Sequence, residues 1–180
     1  MDLNAKPWIA RLIRYFLGSI FVVAGFSKLF PLNSFLKQII AYKLPVPDSL
    51  VYIFAVVLIA FEIWIGLSIF LNSNLHSNLV KAQILLAIMI PATIWASFNR
   101  APTCGCYGNL IQREPWQATV EDCLLLAVSF LLVPSSKEKS KKQTFPVFKR
   151  IFISVLSVGA LVYGFIQLQQ IYAFQAEKLL

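Results

Sequence analysis

Charged residues are scarce in this chain of 180 residues, and their scarcity limits the class of protein it can be. Only 13% of the residues are Asp, Glu, Lys or Arg, whereas 58% are hydrophobic. Soluble domains are nearer half apolar and carry about a quarter charged residues. With a mean hydropathy of +0.72, one soluble core would not hide all of the apolar surface from water. We therefore expect lipid to solvate most of the chain.

Several motifs of common function classes are also absent. The chain has no dinucleotide fingerprint, no P-loop and no Ser-His-Asp arrangement. The net charge is +8, but the Lys and Arg stand between apolar runs without a nucleic-acid-binding motif, so we expect no nucleic acid partner. A zinc site needs about four N or S ligands, and the chain offers three Cys and one His. We place His76 in a solvated loop away from the cysteines and expect no metal.

The chain does contain five apolar runs that are long enough to span a bilayer, which takes about 20 residues. These runs cover residues 12–30, 50–71, 79–98, 116–133 and 148–168. They predict an all-α fold, a polytopic transmembrane helix bundle. We divide it into a four-helix core (1–134), a flexible basic cytoplasmic linker (135–147), and a fifth transmembrane helix with an extracytoplasmic tail (148–180).

Basic residues predict how the bundle is oriented. Residues 6–14 resemble the front of a signal peptide, but the first apolar run continues past a candidate cleavage site at 22–24, so we expect a retained helix. If the N-terminus is cytoplasmic, ten of the 16 Lys and Arg lie inside. This orientation puts the loop 99–115 on the extracytoplasmic side, in a bacterial-type inner membrane or a thylakoid membrane.

Two of the three cysteines flank one glycine in that loop, in the sequence Cys104-Gly105-Cys106. Disulfides persist in oxidising compartments, so an outward loop suits a working dithiol/disulfide pair. The ring that would join two such close sulfurs is small and strained, and strained exposed disulfides exchange readily. We predict that Cys104 and Cys106 are catalytic, one exchanging with a partner cysteine and the other resolving the mixed disulfide.

The third cysteine, Cys123, lies in the fourth apolar run. Cysteine often packs in apolar surroundings, which we slightly favour here. Alternatively, Cys123 faces the cysteines of the loop and serves as a third redox partner. Glu121 and Asp122 lie near the start of the same predicted helix, where acidic residues suit the helix dipole, although they could also handle protons during thiol chemistry.

Ionisable side chains inside the apolar runs are costly and are candidates for function. Glu62 lies near the middle of the second run, and it shares a helix face with Gly66. Arg14, Gly18 and Gly25 share a face of the first run, and we expect the two faces to meet. Arg14 or Lys28 would then offset the charge of Glu62, unless Glu62 is protonated.

Four segments together resemble the MauE branch of the DoxX-like membrane proteins, over residues 9–133. These segments are Arg14-x-x-x-Gly18, Ala24-Gly25-Phe26-Ser27-Lys28-Leu29, Glu62-x-x-x-Gly66 and Cys104-Gly105-Cys106-Tyr107-Gly108. Tyr107 stands where phenylalanine is commoner. The resemblance implies a redox-associated membrane protein that works beside a thioredoxin-like partner, as in the maturation of a disulfide-rich periplasmic methylamine dehydrogenase subunit. The arrangement is also similar to quinone-linked disulfide-generating membrane proteins.

These observations and the resemblance together predict a thiol–disulfide oxidoreductase that supports disulfide formation in an extracytoplasmic protein. The similarity to quinone-linked proteins implies quinone as the electron acceptor, held among the helices near Cys123 and Trp116, with Tyr107 near the redox pair. One alternative is a reductive conduit that carries reducing equivalents outward. Another is a non-catalytic small subunit of a larger membrane complex, in which the cysteines form only a structural staple.

Overall fold

The computed structural model describes residues 7–104, 106–107, 113–140 and 146–177, with the backbone alone at positions 7, 48, 134–140 and 171–177. These residues form helices and no β-strand, so the all-α prediction is confirmed. The helices are α1 (Pro7–Leu29), α2 (Leu32–Ile40), α3 (Asp48–Phe70), α4 (Leu75–Phe98), α5 (Pro115–Ser140) and α6 (Val147–Glu177).

Five of the helices, all except α2, are long and apolar enough to cross a membrane. Their outward faces carry large apolar side chains that are more than half exposed, such as Phe54, Leu124 and Val155. In water this surface would be costly, but in a bilayer it meets lipid chains. The five predicted spans are therefore confirmed, and α4 runs through Pro91 without a break. The protein is an integral membrane protein.

The short helix α2 is an element that the apolar runs do not predict. Leu32, Phe35 and Leu36 are buried, and their spacing places them on one face of the helix. Lys37 is exposed on the other side. α2 is therefore amphipathic and packs on the bundle, mainly against α3.

Helix α3 lies at the centre of the bundle and packs against α1, α2, α4 and α6. Its contact with α1 is close because both helices carry glycine there. A Cβ atom at Gly18 would lie 2.8 Å from the backbone N of Phe70, and one at Gly66 would lie 2.7 Å from the backbone N of Val22. The predicted meeting of the Gly18 and Gly66 faces is confirmed.

Helix α6 also belongs to the bundle, although we expected an accessory helix on a flexible tether. Ile153, Ala160 and Leu168 are buried, and a Cβ atom at Gly164 would lie 2.7 Å from a methyl group of Val56 on α3.

The backbone of α5 stays helical to Ser140, because the Lys and Glu that follow its apolar run are good helix formers. Residues 141–145 of the expected linker lie outside the described residues, as does Lys178 of the expected tail.

The end of α1, α2, the start of α3, the end of α4 and the start of α5 come together at one end of the bundle, which we call the site end. Tyr42, Leu44, Ala96 and Ala101 pack against one another there and join the segment after α2 to the end of α4. The loop that carries Cys104 and Cys106 leaves α4 at this end, so α2 and the loop lie side by side.

Candidate functional site

Cys104 and Cys106 are joined by a disulfide bond, with their Cα atoms 5.4 Å apart. The two sulfurs differ in access, because Cys104 is only 1% exposed whereas Cys106 is partly exposed. The backbone N–H of Cys104 donates a hydrogen bond to the carbonyl oxygen of Arg113 at 2.8 Å. This bond ties the two ends of the loop together and holds the disulfide at the start of α5.

Side chains of the loop are anchored to Glu121 on α5. The Tyr107 hydroxyl donates a hydrogen bond to Glu121 Oε1 at 2.7 Å, and the Arg113 guanidinium forms an ion pair with the same carboxylate. The guanidinium carbon also lies 5.1 Å from the centre of the Tyr107 ring. Burial raises the pKa of the Tyr107 hydroxyl, and its hydrogen bond to Glu121 raises it further, so the hydroxyl stays a donor. Glu121 therefore holds the loop, whereas the sequence suggested a helix-start residue.

A small enclosed space of about 30 Å³, which we call the polar cavity, lies beside Cys106. This volume is enough for about one water molecule. The polar cavity is bounded by apolar side chains of α1, α4 and α5 and by six polar or redox-active ones. These six are Lys28, Glu62, Cys106, Tyr107, Glu121 and Asp122.

Lys28 and Glu62 form a buried ion pair in the wall of the polar cavity. The Lys28 ammonium donates to both carboxylate oxygens of Glu62, at 2.6 Å to Oε2, and the two residues are 2% and 5% exposed. Lys28, rather than Arg14, therefore offsets the charge of Glu62. Arg14 lies over the ring of Tyr15 at 4.7 Å, and its Nε has no hydrogen-bond partner among the described residues.

A larger cavity of about 450 Å³, which we call the apolar cavity, lies on the other side of Cys106. It is bounded by α2, α3, α4 and the segment between α2 and α3. Its lining is almost entirely apolar, and the polar exceptions are the Tyr42 hydroxyl and Cys106. Burial raises the pKa of the Tyr42 hydroxyl, and the charge of Asp122 adds to this effect, so Tyr42 stays a neutral donor. Cys106 thus borders both cavities.

Two residues that we predicted near a quinone pocket lie on the surface of α5. Cys123 is a free thiol on the exposed face of α5, so it is not packed in the core. Trp116 is 56% exposed, and its indole N–H donates to Glu114 Oε2 at 2.6 Å. Neither residue borders the polar or the apolar cavity. His76 lies in the first turn of α4 rather than in a loop.

The structure also brings residues to the site that we did not single out from the sequence. Phe35 and Tyr42 come from α2 and the segment after it, and Arg113 comes from the far end of the cysteine loop. The apolar spacing in α2 is a signal that could have revealed this helix. The ion pair between Arg113 and Glu121 could not be predicted from a local sequence pattern, because it depends on how Arg113 is placed relative to α5.

Comparison with known proteins places the chain in a family. Residues 6–135 match the family described as methylamine utilisation protein MauE. The chain is 26% identical to Protein TlpB of Flavobacterium psychrophilum over 153 residues, which cover 78% of this chain and 41% of that protein. The chain thus spans about two fifths of the length of this curated relative. No solved structure matches the chain. The family match covers more than half of the chain, including every residue of the site end, and the protein belongs to the MauE family.

Proposed function

We propose that this protein is a membrane thiol–disulfide oxidoreductase that cycles Cys104 and Cys106 between disulfide and dithiol. The observation that carries the proposal is the position of Cys106, which is partly exposed and borders both the polar and the apolar cavity. A disulfide with only a structural purpose would not need this access. It would also add little, because a bond across one intervening residue closes a very short loop and removes little chain entropy.

The difference in burial suggests the role of each sulfur. A thiolate of the partner protein attacks Cys106 Sγ, the bond to Cys104 breaks, and Cys104 leaves with the electron pair. The second thiolate of the partner then attacks the partner's own sulfur in the mixed disulfide and releases Cys106. The partner has lost two electrons and two protons and holds a disulfide, and Cys104 and Cys106 have become two thiols.

The apolar cavity supports quinone as the acceptor that reoxidises this pair. Its volume lies in the range of sites for small organic ligands, which are mainly apolar with a few polar groups. The ring would be held by side chains such as Phe35, Phe54 and Met89, with the Tyr42 hydroxyl as a donor to a carbonyl oxygen. A bound quinone would supply a two-electron acceptor whose reduced form takes up two protons. The cavity near Cys106 fits this group better than the exposed surface around Cys123 and Trp116.

The proposed orientation puts the site end on the extracytoplasmic side. The Lys and Arg distribution supports it, because the opposite end of the bundle adjoins the basic segment that follows the apolar part of α5. There the disulfide would meet a thioredoxin-like or disulfide-containing protein. The reductive alternative needs a thiol within reach of the cytoplasmic side, and no described cysteine lies at that end of the bundle.

Trapping of mixed disulfides tests the proposed function. In the Cys104→Ser variant the Cys106 thiol can attack the disulfide of the oxidised physiological partner, whose other sulfur leaves as a thiol. We expect this mixed disulfide to accumulate, because Cys104 is no longer present to resolve it. Cys106→Ser removes the accessible sulfur and should trap far less, and Cys123→Ser serves as a matched control that behaves like the wild type. Normal disulfide formation in the partner after loss of both Cys104 and Cys106 would contradict the proposal.

A further inference from the structure

The polar cavity contains three carboxylates, and two of them already have partners. Glu62 is held by Lys28, and Glu121 is held by Tyr107 and Arg113. Asp122 differs, because its Oδ2 atom is buried and has no hydrogen-bond partner among the described residues. A buried polar oxygen without a partner costs free energy, and such an atom requires an explanation.

The polar cavity is bounded by α1, α3, α4, α5 and the cysteine loop, which differ in the groups they offer for proton exchange with Asp122. Helix α4 contributes only Leu85, Leu86 and Met89, which are apolar. The ionisable or redox-active groups that share the polar cavity with Asp122 come from the elements other than α4. They are Lys28 from α1, Glu62 from α3, Glu121 from α5 itself, and Cys106 and Tyr107 from the loop. Tyr42, whose hydroxyl is affected by the charge of Asp122, faces it from the segment after α2.

We propose that Asp122 accepts and returns the proton of the Cys106 thiol through one water molecule in the polar cavity. The inference rests on the thiol–disulfide exchange proposed above. When Cys106 attacks a disulfide, its S–H proton passes through the water to the Asp122 carboxylate, and the thiolate electron pair forms the new S–S bond. The attacked S–S bond breaks, and its other sulfur leaves with the electron pair of that bond. When Cys106 is the leaving group, Asp122 returns that proton to its sulfur, so atoms and electrons balance in both directions.

The remaining groups are poorly suited to this role. The ammonium of Lys28 already donates to both oxygens of Glu62, so a proton on Glu62 would break a buried ion pair. A proton on Glu121 would weaken its bonds to Tyr107 and Arg113 and so loosen the loop. Asp122 can change its protonation state without disturbing either arrangement.

A single-turnover reaction tests the role of Asp122 without a partner protein or a quinone. The full chain carries Cys104→Ser and Cys123→Ser in every sample, so Cys106 is its one remaining thiol. Dithiodipyridine is the probe: the Cys106 thiolate attacks its disulfide, a mixed disulfide forms, and the released thiopyridone is measured by absorbance. The rate is recorded against pH for this background and with Asp122→Asn, Asp122→Glu or Glu114→Gln added. Glu114→Gln is the matched control, because Glu114 is exposed and does not border the polar cavity.

We expect Asp122→Asn to slow the reaction by about tenfold or more near neutral pH, where the thiol is protonated and needs a base. The difference should vanish above the ordinary thiol pKa of about 8.5, where Cys106 is ionised in both proteins. Unchanged helical circular dichroism in detergent shows separately that the variant is folded, because an ionised thiol would react in an unfolded chain as well. Asp122→Glu should keep much of the neutral-pH rate, and Glu114→Gln should match the background.

Two results would overturn the inference. If Asp122 only placed a negative charge near Cys106, it would hinder thiolate formation, and Asp122→Asn would react faster near neutral pH. If Asp122 were only structural, the rate would fall by the same factor at every pH. Should Asp122→Asn not fold, Asp122→Ser is tested by the same criteria. Either negative result leaves the proposed function standing, because the trapping experiment tests that function separately.

Discussion

Individual residues at the site end either anchor the disulfide or border the cavities beside it. Cys104 is buried and bonded through its backbone to Arg113, whereas Cys106 meets both cavities. Glu121 ties the loop to α5. Asp122, its neighbour in sequence, borders the polar cavity, and its buried Oδ2 has no hydrogen-bond partner among the described residues. Two adjacent acidic residues thus have different surroundings, which follow from the direction in which each leaves the helix.

The buried pair of Lys28 and Glu62 gives a prediction at the residue scale. Lys28→Met or Glu62→Leu should each lower the free energy of unfolding by about 3–5 kcal/mol, because either one leaves the other charge buried and unpaired. The double variant Lys28→Met/Glu62→Leu should be more stable than either single variant. Denaturation in detergent micelles measures these differences, with the exposed Lys37→Met as a control. Additive losses in the double variant would show that the two side chains are not coupled.

At the scale of helices, the bundle depends on the close approach of α1 to α3 and on α2, which covers the site end. α2 buries Leu32, Phe35 and Leu36 and supplies part of the apolar cavity. A nine-residue helix is marginal by itself and is stable here because of this packing. The accessible space beside Cys106 is therefore a product of three helices and not of the cysteine loop alone.

Glycine substitutions test the contact between α1 and α3. Gly18→Ala or Gly66→Ala should lower the free energy of unfolding by about 1–3 kcal/mol, because each added methyl group overlaps backbone atoms of the other helix. Gly159→Ala on α6 is the matched control, since a Cβ atom there meets nothing within 4 Å. That control should be neutral or gain up to about 1 kcal/mol from helix propensity. Equal effects at all three positions would argue against the close contact.

Filling the apolar cavity tests its assignment as the quinone site. Ala92→Leu adds three carbon atoms to the cavity wall, so reoxidation of the reduced protein by a short-chain quinone should slow several-fold. Reduction of the Cys104–Cys106 disulfide by dithiothreitol should not change, because that step does not use the cavity. Ala127→Leu, on the exposed face of α5, is the control. Unchanged quinone reduction by Ala92→Leu would place the acceptor elsewhere.

For the whole molecule, the arrangement of the helices determines which groups share a side of the membrane. α5 has 26 residues, and at about 1.5 Å per residue it is roughly 39 Å long, enough to cross the hydrocarbon core. The cysteine loop and the basic end of α5 must then lie on opposite sides. The orientation of the entire bundle follows if one of these positions is located.

Thiol labelling of intact cells checks the proposed orientation. After reduction, Cys106 should react with a membrane-impermeant maleimide added from outside, in a Cys123→Ser background. With Cys104→Ser and Cys106→Ser also present, Lys139→Cys near the other end of α5 should react only once the membrane is opened. The reverse pattern would invert the topology and, with it, the compartment of the partner protein.

The membrane character, the five spans and the pair of neighbouring cysteines could be predicted from the sequence alone. Each of these depends on local composition: a run of about 20 apolar residues needs lipid wherever it lies in the fold, and two cysteines separated by one residue are always close. It also indicated that Glu62 needs a partner, because an isolated charge in a span is costly.

Only the tertiary structure decided which groups meet. Glu62 pairs with Lys28 rather than Arg14 because the crossing of α1 and α3 brings the last turn of α1 beside it. Cys106 rather than Cys123 borders the two cavities because of how the loop and α2 close the site end. Such contacts join residues far apart in the chain, so they depend on how the helices are rotated and packed. Local composition does not contain that information.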